Sequence, residues 1–204
     1  MGPELLPLFP LEVVLLPQTA LPLHIFEERY KLMIGEAIEQ RSEFGIVLAK
    51  EKALANVGCT AAVERVTRRY EDGRLDILTR GRRRFEILLL DEQKPYLRAG
   101  VHFFSDEDGR PAAPEAVRRL GGVFEKALRL MSAATPSRPA PGERLTSFQV
   151  AGALPIDLDV KQRILSLRSE RERTDVLCGF LEGYLPRLER ARRLEATARG
   201  NGHG

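Results

Sequence analysis

The stretch LPLHIFEERYKLMIGEAIEQ, residues 21–40, changes its hydrophobic period part-way and so decides how the chain is read. Up to Phe26 it is extended, with Pro22 barring a helix. From Glu27 the period becomes helical. Tyr30, Met33, Ile34, Ala37 and Ile38 share one face, and Glu28, Lys31, Glu36 and Glu39 fall largely outside it. This spacing predicts an amphipathic helix over 27–40 of about three to four turns. The segments on both sides read as β-structure. Leu5 to Leu23 is apolar and broken by Pro7, Pro10, Pro17 and Pro22, which fits short, bent edge strands.

Strands resume C-terminal to the helix. Phe44 to Ala49 is followed by a long extended stretch from Val57 to Tyr70, bent or bulged where its alternation breaks between Val63 and Val66. Asp72-Gly73 is a hairpin turn signal, and Leu75 to Thr79 returns. Gly81 marks a tight change of direction. Phe85, Ile87 and Leu89 then alternate with Arg84, Glu86, Leu88 and Leu90, and Leu97, Ala99, Val101 and Phe103 with Arg98, Gly100, His102 and Phe104. Several short strands with one inserted helix predict a small closed or nearly closed β-barrel over residues 1–104.

Residues 105–113 read as a linker, and the chain from 114 to 198 reads as helical, so the class is α+β. Val117, Leu120, Phe124, Ala127, Leu128 and Met131 form one stripe. Pro136, Pro139, Pro141 and Gly142 form a loop. A helix from Glu143 to Leu154 ends at Pro155, and another over Leu158 to Leu167 has Asp157 as its N-cap. Ser169 and Glu172 have capping-box spacing. Leu177, Phe180, Leu181, Tyr184 and Leu188 line the last helix, with Pro186 a kink or break. Residues 199–204 read as a disordered tail. The helical part is expected to pack on the barrel, because Leu88, Leu90 and Phe104 lie opposite the main alternation and need a second layer.

The chain has 204 residues, 43% hydrophobic and 30% charged, which suits a folded core and excludes a disordered or fibrous class. Thirty-two basic residues against 29 acidic leave a net charge of +3, too mild to argue for nucleic acid. No apolar run approaches the roughly 20 residues of a membrane span. No Lys or Arg precedes Arg29, so a secretory leader is not indicated and a cytoplasmic protein is the default. Cys59 and Cys178 are far apart and read as buried, reduced thiols in preference to a disulfide.

No phosphate-binding loop, nucleophile elbow or zinc-spaced cysteine pair occurs, so no cofactor or metal is expected. His24 with Glu27 and Glu28 is the most chemical-looking cluster. A helix start that uses His24 for backbone bonds and the glutamates for its dipole is the preferred account. An enzyme built on His24, Glu27 or His102 is therefore the weakest of three functional readings. Eight arginines between Arg65 and Arg84 face only three carboxylates, whereas residues 1–104 balance at fifteen of each sign. The surplus is local. Arg80, Arg82, Arg83 and Arg84 would be the RNA-binding residues if it gathered on one face. A solvated edge hairpin is the preferred account, because strand side chains alternate and no aromatic platform interleaves them.

LPLFPL (6–11), VLLP (14–17) and above all LPLHIFEERY (21–30) resemble the N-terminal domain of the ATP-dependent Lon protease family. The resemblance continues in order through FGIV (44–47), Val57-Gly58, DGRL (72–75), Gly81, Arg84-Phe85 and PYL (95–97), and then through LPID (154–157) and Lys161-Gln162. It implies a PUA-like β-barrel followed by a C-terminal helical bundle. It also implies a non-catalytic role in recognising unfolded or tagged protein segments. Lon protease or its substrates are implied partners. It explains His24, Phe26 and Tyr30 as structural signature residues. Neither an ATPase module nor a Ser–Lys protease module follows, so the chain reads as a stand-alone relative. Peptide binding needs an apolar patch with a polar rim. Leu88, Leu90 and Phe104 are the candidates, with core packing the preferred account of them. RNA binding, known for PUA-like barrels, is the alternative.

Overall fold

Prolines at positions 7, 10 and 22 keep the first two strands extended, β1 (Leu6–Leu11) and β2 (Ala20–Ile25), in the computed structural model of the chain. The structure describes residues 5–51, 53–107, 109, 111–131 and 145–200. The loop at 136–142, Glu143 and His203 lie outside these. Next come α1 (Glu28–Gln40), β3 (Phe44–Lys50), β4 (Ala53–Arg69), β5 (Leu75–Asp91) and β6 (Arg98–Phe104). Four helices follow, α2 (Pro114–Met131), α3 (Ser147–Ala153), α4 (Leu158–Ser166) and α5 (Glu170–Gly200). The architecture is mixed α+β, a six-stranded sheet with five helices among the described residues.

β1 is not the edge strand its prolines suggest. It runs parallel to β3 from Leu8 to Leu11 and antiparallel to β6 at Leu6 and Pro7. Each proline stands where the ladder is one-sided, the setting in which a missing N–H is tolerated. β4 and β5 are 17 residues each, joined at Asp72-Gly73, where Gly73 takes φ 81. The first half of β5 pairs with β2, from Leu75↔Ile25 to Arg80↔Ala20, and its second half with β6, from Arg84↔Phe104 to Asp91↔Arg98. The order β2-β5-β4-β3-β1-β6 therefore returns on itself through β5–β6.

Gly81 does not turn the chain, as its sequence context suggests. It sits inside β5 at the handover from β2 to β6. Its N–H donates to the Thr19 carbonyl and its carbonyl accepts from the Gln18 N–H, both at 2.9 Å. A Cβ there would collide with the Leu16 carbonyl. Gly81 is thus required for close approach.

α1 buries the predicted Tyr30, Met33, Ile34 and Ala37. Arg41 ends it at φ 52, with its N–H shared by the Ala37 and Ile38 carbonyls. Glu36 fastens α1 to the β5–β6 connection. Its carboxylate accepts from the Tyr96 hydroxyl and from Lys94 Nζ at 2.9 and 3.1 Å. The bond from Tyr96, and then that from Lys94, hold Glu36 below the ordinary carboxylate range.

The chain divides into two compact units. The first comprises residues 1–105 and 157–166, the second 106–156 and 167–204. The helical stretch expected over 114–198 is thus interrupted, because α4 belongs with the strands. Gln162 Nε2 donates to the Val57 carbonyl at 2.9 Å, Arg84 Nη1 to the Leu165 carbonyl at 3.2 Å, and Lys50 pairs with Asp159 at 3.0 Å. Asp157 caps α4 as expected, its carboxylate accepting from the Asp159 N–H.

In the second unit α2 packs on α5. Leu120, Phe124 and Ala127 are buried from the predicted α2 stripe, and Leu177 and Leu181 from α5. The side chain of Met131 lies outside the described residues. Arg119 pairs with Glu182 and Lys126 with Glu189. α3 starts later than its sequence suggests, at a capping box of Thr146 and Gln149. Arg173 is buried and donates to Asp106, Glu170, Ser147 Oγ and the Leu167 carbonyl. The expected linker is therefore anchored at Asp106. α5 continues through Pro186 and closes at Gly200, two residues into the expected tail; 201–204 lie outside the described residues.

Two outcomes follow. Gly81→Ala should destabilise the fold by about 1–3 kcal/mol in urea unfolding, through overpacking against backbone. Glu36 has a folded pKa below its unfolded one, so its stabilisation is present above the unfolded value and lost as pH falls through the folded value. The stability difference between the parent and Glu36→Gln should therefore shrink on acidification from neutrality to below about pH 4.

Candidate functional site

The apolar candidates split between two places on β5 and β6. The β5–β6 register shifts between Ile87 and Leu89, so Leu88 is the extra residue of a bulge. Leu88 is 68% exposed, Leu89 51% and Leu90 49%. The expectation that Leu88 and Leu90 are core is thereby corrected. A bulge breaks the alternation that would bury one of each neighbouring pair, and three consecutive leucines reach solvent. Leu89 lies over Gly100, its side-chain atoms 3.0–3.4 Å from where a Cβ would stand. Leu6, Leu54, Ile87, Leu97 and Val101 are partly buried and pack on the core of Leu8, Val47, Phe85 and Ala99. Phe104 does not join this face. It pairs with Arg84 at the far end of β6 and is half-buried, with the Arg84 guanidinium 4.6 Å from its ring centroid.

Sequence reasoning missed Leu89, assigned to the inward alternation, and Phe103, which is 39% exposed. The run of three leucines was the available signal, since no regular strand inside a single-faced sheet buries three in succession.

The arginines differ in how they are held. Arg80 pairs with Glu64 and donates to the Gln18 carbonyl at 2.9 Å. Arg83 donates to Glu43 at 3.1 Å and lies 4.0 Å from the Phe103 ring centroid. Arg84 is only 5% exposed. Arg68 and Arg74 both stack on Tyr70, at 4.5 and 4.9 Å. Arg82 is exposed, with no ion-pair partner among the described residues.

His24 Nδ1 meets Asp76 across the β2–β5 ladder at 2.6 Å, and the Tyr70 hydroxyl donates to the other Asp76 oxygen at 2.8 Å. These bonds, His24 first, hold Asp76 below the usual carboxylate range. Glu27 pairs with Arg29, and His102 stands opposite Glu86 at the other end of β5. The three residues of the enzymatic reading are thus not brought together. Burial pushes the Cys59 thiol up to about 12, which makes it a poor nucleophile.

Residues 5–183 match the profile of the ATP-dependent protease La (LON) substrate-binding domain. The chain belongs to this family. Relatives of this LON domain include the Lon protease of Rhizobium meliloti (strain 1021), 24% identical over 208 aligned residues, and that of Desulforamulus reducens, 26% identical over 211. Both matches take in 95% of this chain and 26% of the relative, so the chain spans about a quarter of their length. Among solved structures, the Lon N-terminal domain protein from Xanthomonas campestris superimposes with a TM-score of 0.69 at 24% identity, over 86% of this chain and 98% of that one. The N-terminal domain of Mycobacterium avium complex Lon protease gives 0.62 at 16%, over 88% and 98%. The LON domain fold is therefore shared. No helix among the described residues is long and apolar enough to cross a membrane.

The unequal arginines of this LON domain make a direct test. Arg84→Ala should cost about 1–3 kcal/mol in chemical denaturation, by leaving a buried carbonyl without its donor. Arg82→Ala should stay within about 0.5 kcal/mol of the parent.

Proposed function

We propose that the chain is a non-catalytic recognition module for unfolded or extended protein segments. Its ring of strand pairings acts as a PUA-like β-barrel, and α2, α3 and α5 as the C-terminal helical bundle. The observation that carries this reading is the exposed run Leu88-Leu89-Leu90, continuous with the partly buried apolar residues behind it. An apolar patch rimmed by polar groups is the surface an extended, partly hydrophobic chain needs. Family membership supports the reading, since the family is defined as a substrate-binding domain of a protease. Lon protease or its substrates are the partners this implies. A cytoplasmic setting belongs to the same reading, in keeping with two free, buried thiols.

The test is fluorescence anisotropy with a labelled unfolded polypeptide and a labelled RNA, each over a salt series. Peptide binding should survive added salt, and Leu88→Asp with Leu90→Asp should weaken it by roughly tenfold or more. Both residues are exposed, so the variant should stay folded. Binding of RNA alone, collapsing with salt, would reverse the reading in favour of the arginines Arg80, Arg82 and Arg83.

A further inference from the structure

A second surface of the first unit lacks Leu88, Leu89 and Leu90 and shares only Leu6 and Val101 with the apolar residues behind them. A cleft of about 550 Å³ lies beside the C-terminal end of α1, within the size range of ligand pockets. Four cations line it, Arg41, Arg83, Lys94 and Arg98, against two carboxylates, Glu36 and Glu43. The cations differ in how far they are already satisfied. Lys94 is held by both Glu36 oxygens and by Tyr96. Arg98 is held from outside the cleft by Asp91, at 2.7 and 2.9 Å. Arg83 spends only Nε on Glu43, and its two terminal nitrogens have no acceptor among the described residues. Arg41 has no ion-pair partner among them at all. Phe103 lies beneath the Arg83 guanidinium and is partly exposed, so an apolar surface adjoins the unspent donors.

We propose that this cleft binds an acidic segment of an extended polypeptide, with a carboxylate meeting Arg41 and Arg83 and a neighbouring apolar residue on Phe103. The proposal rests on the peptide-recognition reading and adds a charge preference to it. An exposed pair such as Arg83–Glu43 holds together by no more than about 1 kcal/mol, so an incoming carboxylate competes with Glu43 at little cost. A guanidinium with free terminal N–H groups presents the fork that a carboxylate accepts. A nucleic acid strand fits less well, because its continuous row of phosphates would meet Glu36 and Glu43 on the same wall.

The experiment compares a short unstructured peptide carrying glutamates beside leucine and phenylalanine with its glutamine counterpart, by anisotropy on the full chain. The acidic peptide should bind more tightly. Arg41→Gln with Arg83→Gln should weaken it by about three- to tenfold and leave the glutamine peptide unchanged. Arg65→Gln with Arg69→Gln removes the same charge from exposed positions outside the cleft and should change neither by more than about twofold. Arg83→Lys, which keeps the charge, should retain part of the preference. Equal loss in both double variants would overturn the proposal in favour of general charge attraction. Equal binding of the two peptides by the parent would overturn it while leaving peptide recognition standing. Binding of neither peptide would remove both. RNA binding that depends on Arg41 and Arg83 while the acidic peptide is ignored would also overturn it.

Discussion

The ring of Phe85 lies against β3 and β4 at a position where each strand carries a glycine. Cβ atoms built at Gly45 on β3 and Gly58 on β4 would stand only 2.6 and 2.5 Å from its ring. Those glycines let β3 and β4 close over the aromatic ring, and Phe103 meets it edge-on from β6 at 6.5 Å. Phe85 is fully buried with Leu8, Val47 and Ala99, so β1, β3, β5 and β6 all contribute to one cluster. Burying a phenylalanine contributes about 1.5–3 kcal/mol, but its position matters more than its size. It sits just past the point where β5 exchanges β2 for β6. The ring is thus held where β5 takes up its new partner, two residues before the bulge that exposes Leu88.

Charge is handled in two opposite ways. Arg84 and Arg173 are taken out of water and matched to fixed acceptors, a carbonyl in one case and carboxylates, a hydroxyl and a carbonyl in the other. A buried cation stripped of its partners is costly, so such groups define one geometry. Arg65, Arg69 and Arg82 stay in solvent and are free of such demands. A count of arginines along the chain merges these two populations, which is why it overstates the cations left to solvent.

Much of this was legible from residues alone. The switch of period at Glu27 located α1 to within one residue, and Asp72-Gly73 located the longest hairpin, because both signals are local. Gly81 was noticed but misread: a glycine needed for close approach looks the same in sequence as one needed for a turn. The family motifs carried the chain's membership, whereas its membership in two units was hidden. α4 has an ordinary amphipathic pattern, and its bonds to Val57, Arg84 and Lys50, 105, 81 and 109 residues away in sequence, reveal which unit it completes. For the candidate sites, exposure at Leu88 depended on a bulge. The cleft depended on which arginines found acceptors. Neither is a property of spacing.

The placement of α4 also bears on synthesis. The first unit is discontinuous, its last piece lying beyond residues 106–156. At roughly 5–20 residues per second, a ribosome takes on the order of several seconds to add that intervening stretch. Through that interval the strands exist without the helix that receives the Arg84 donor and satisfies the Val57 carbonyl. The nascent chain therefore passes through a stage in which Arg84 lacks the Leu165 carbonyl, and closure of the first unit waits on the synthesis of α4.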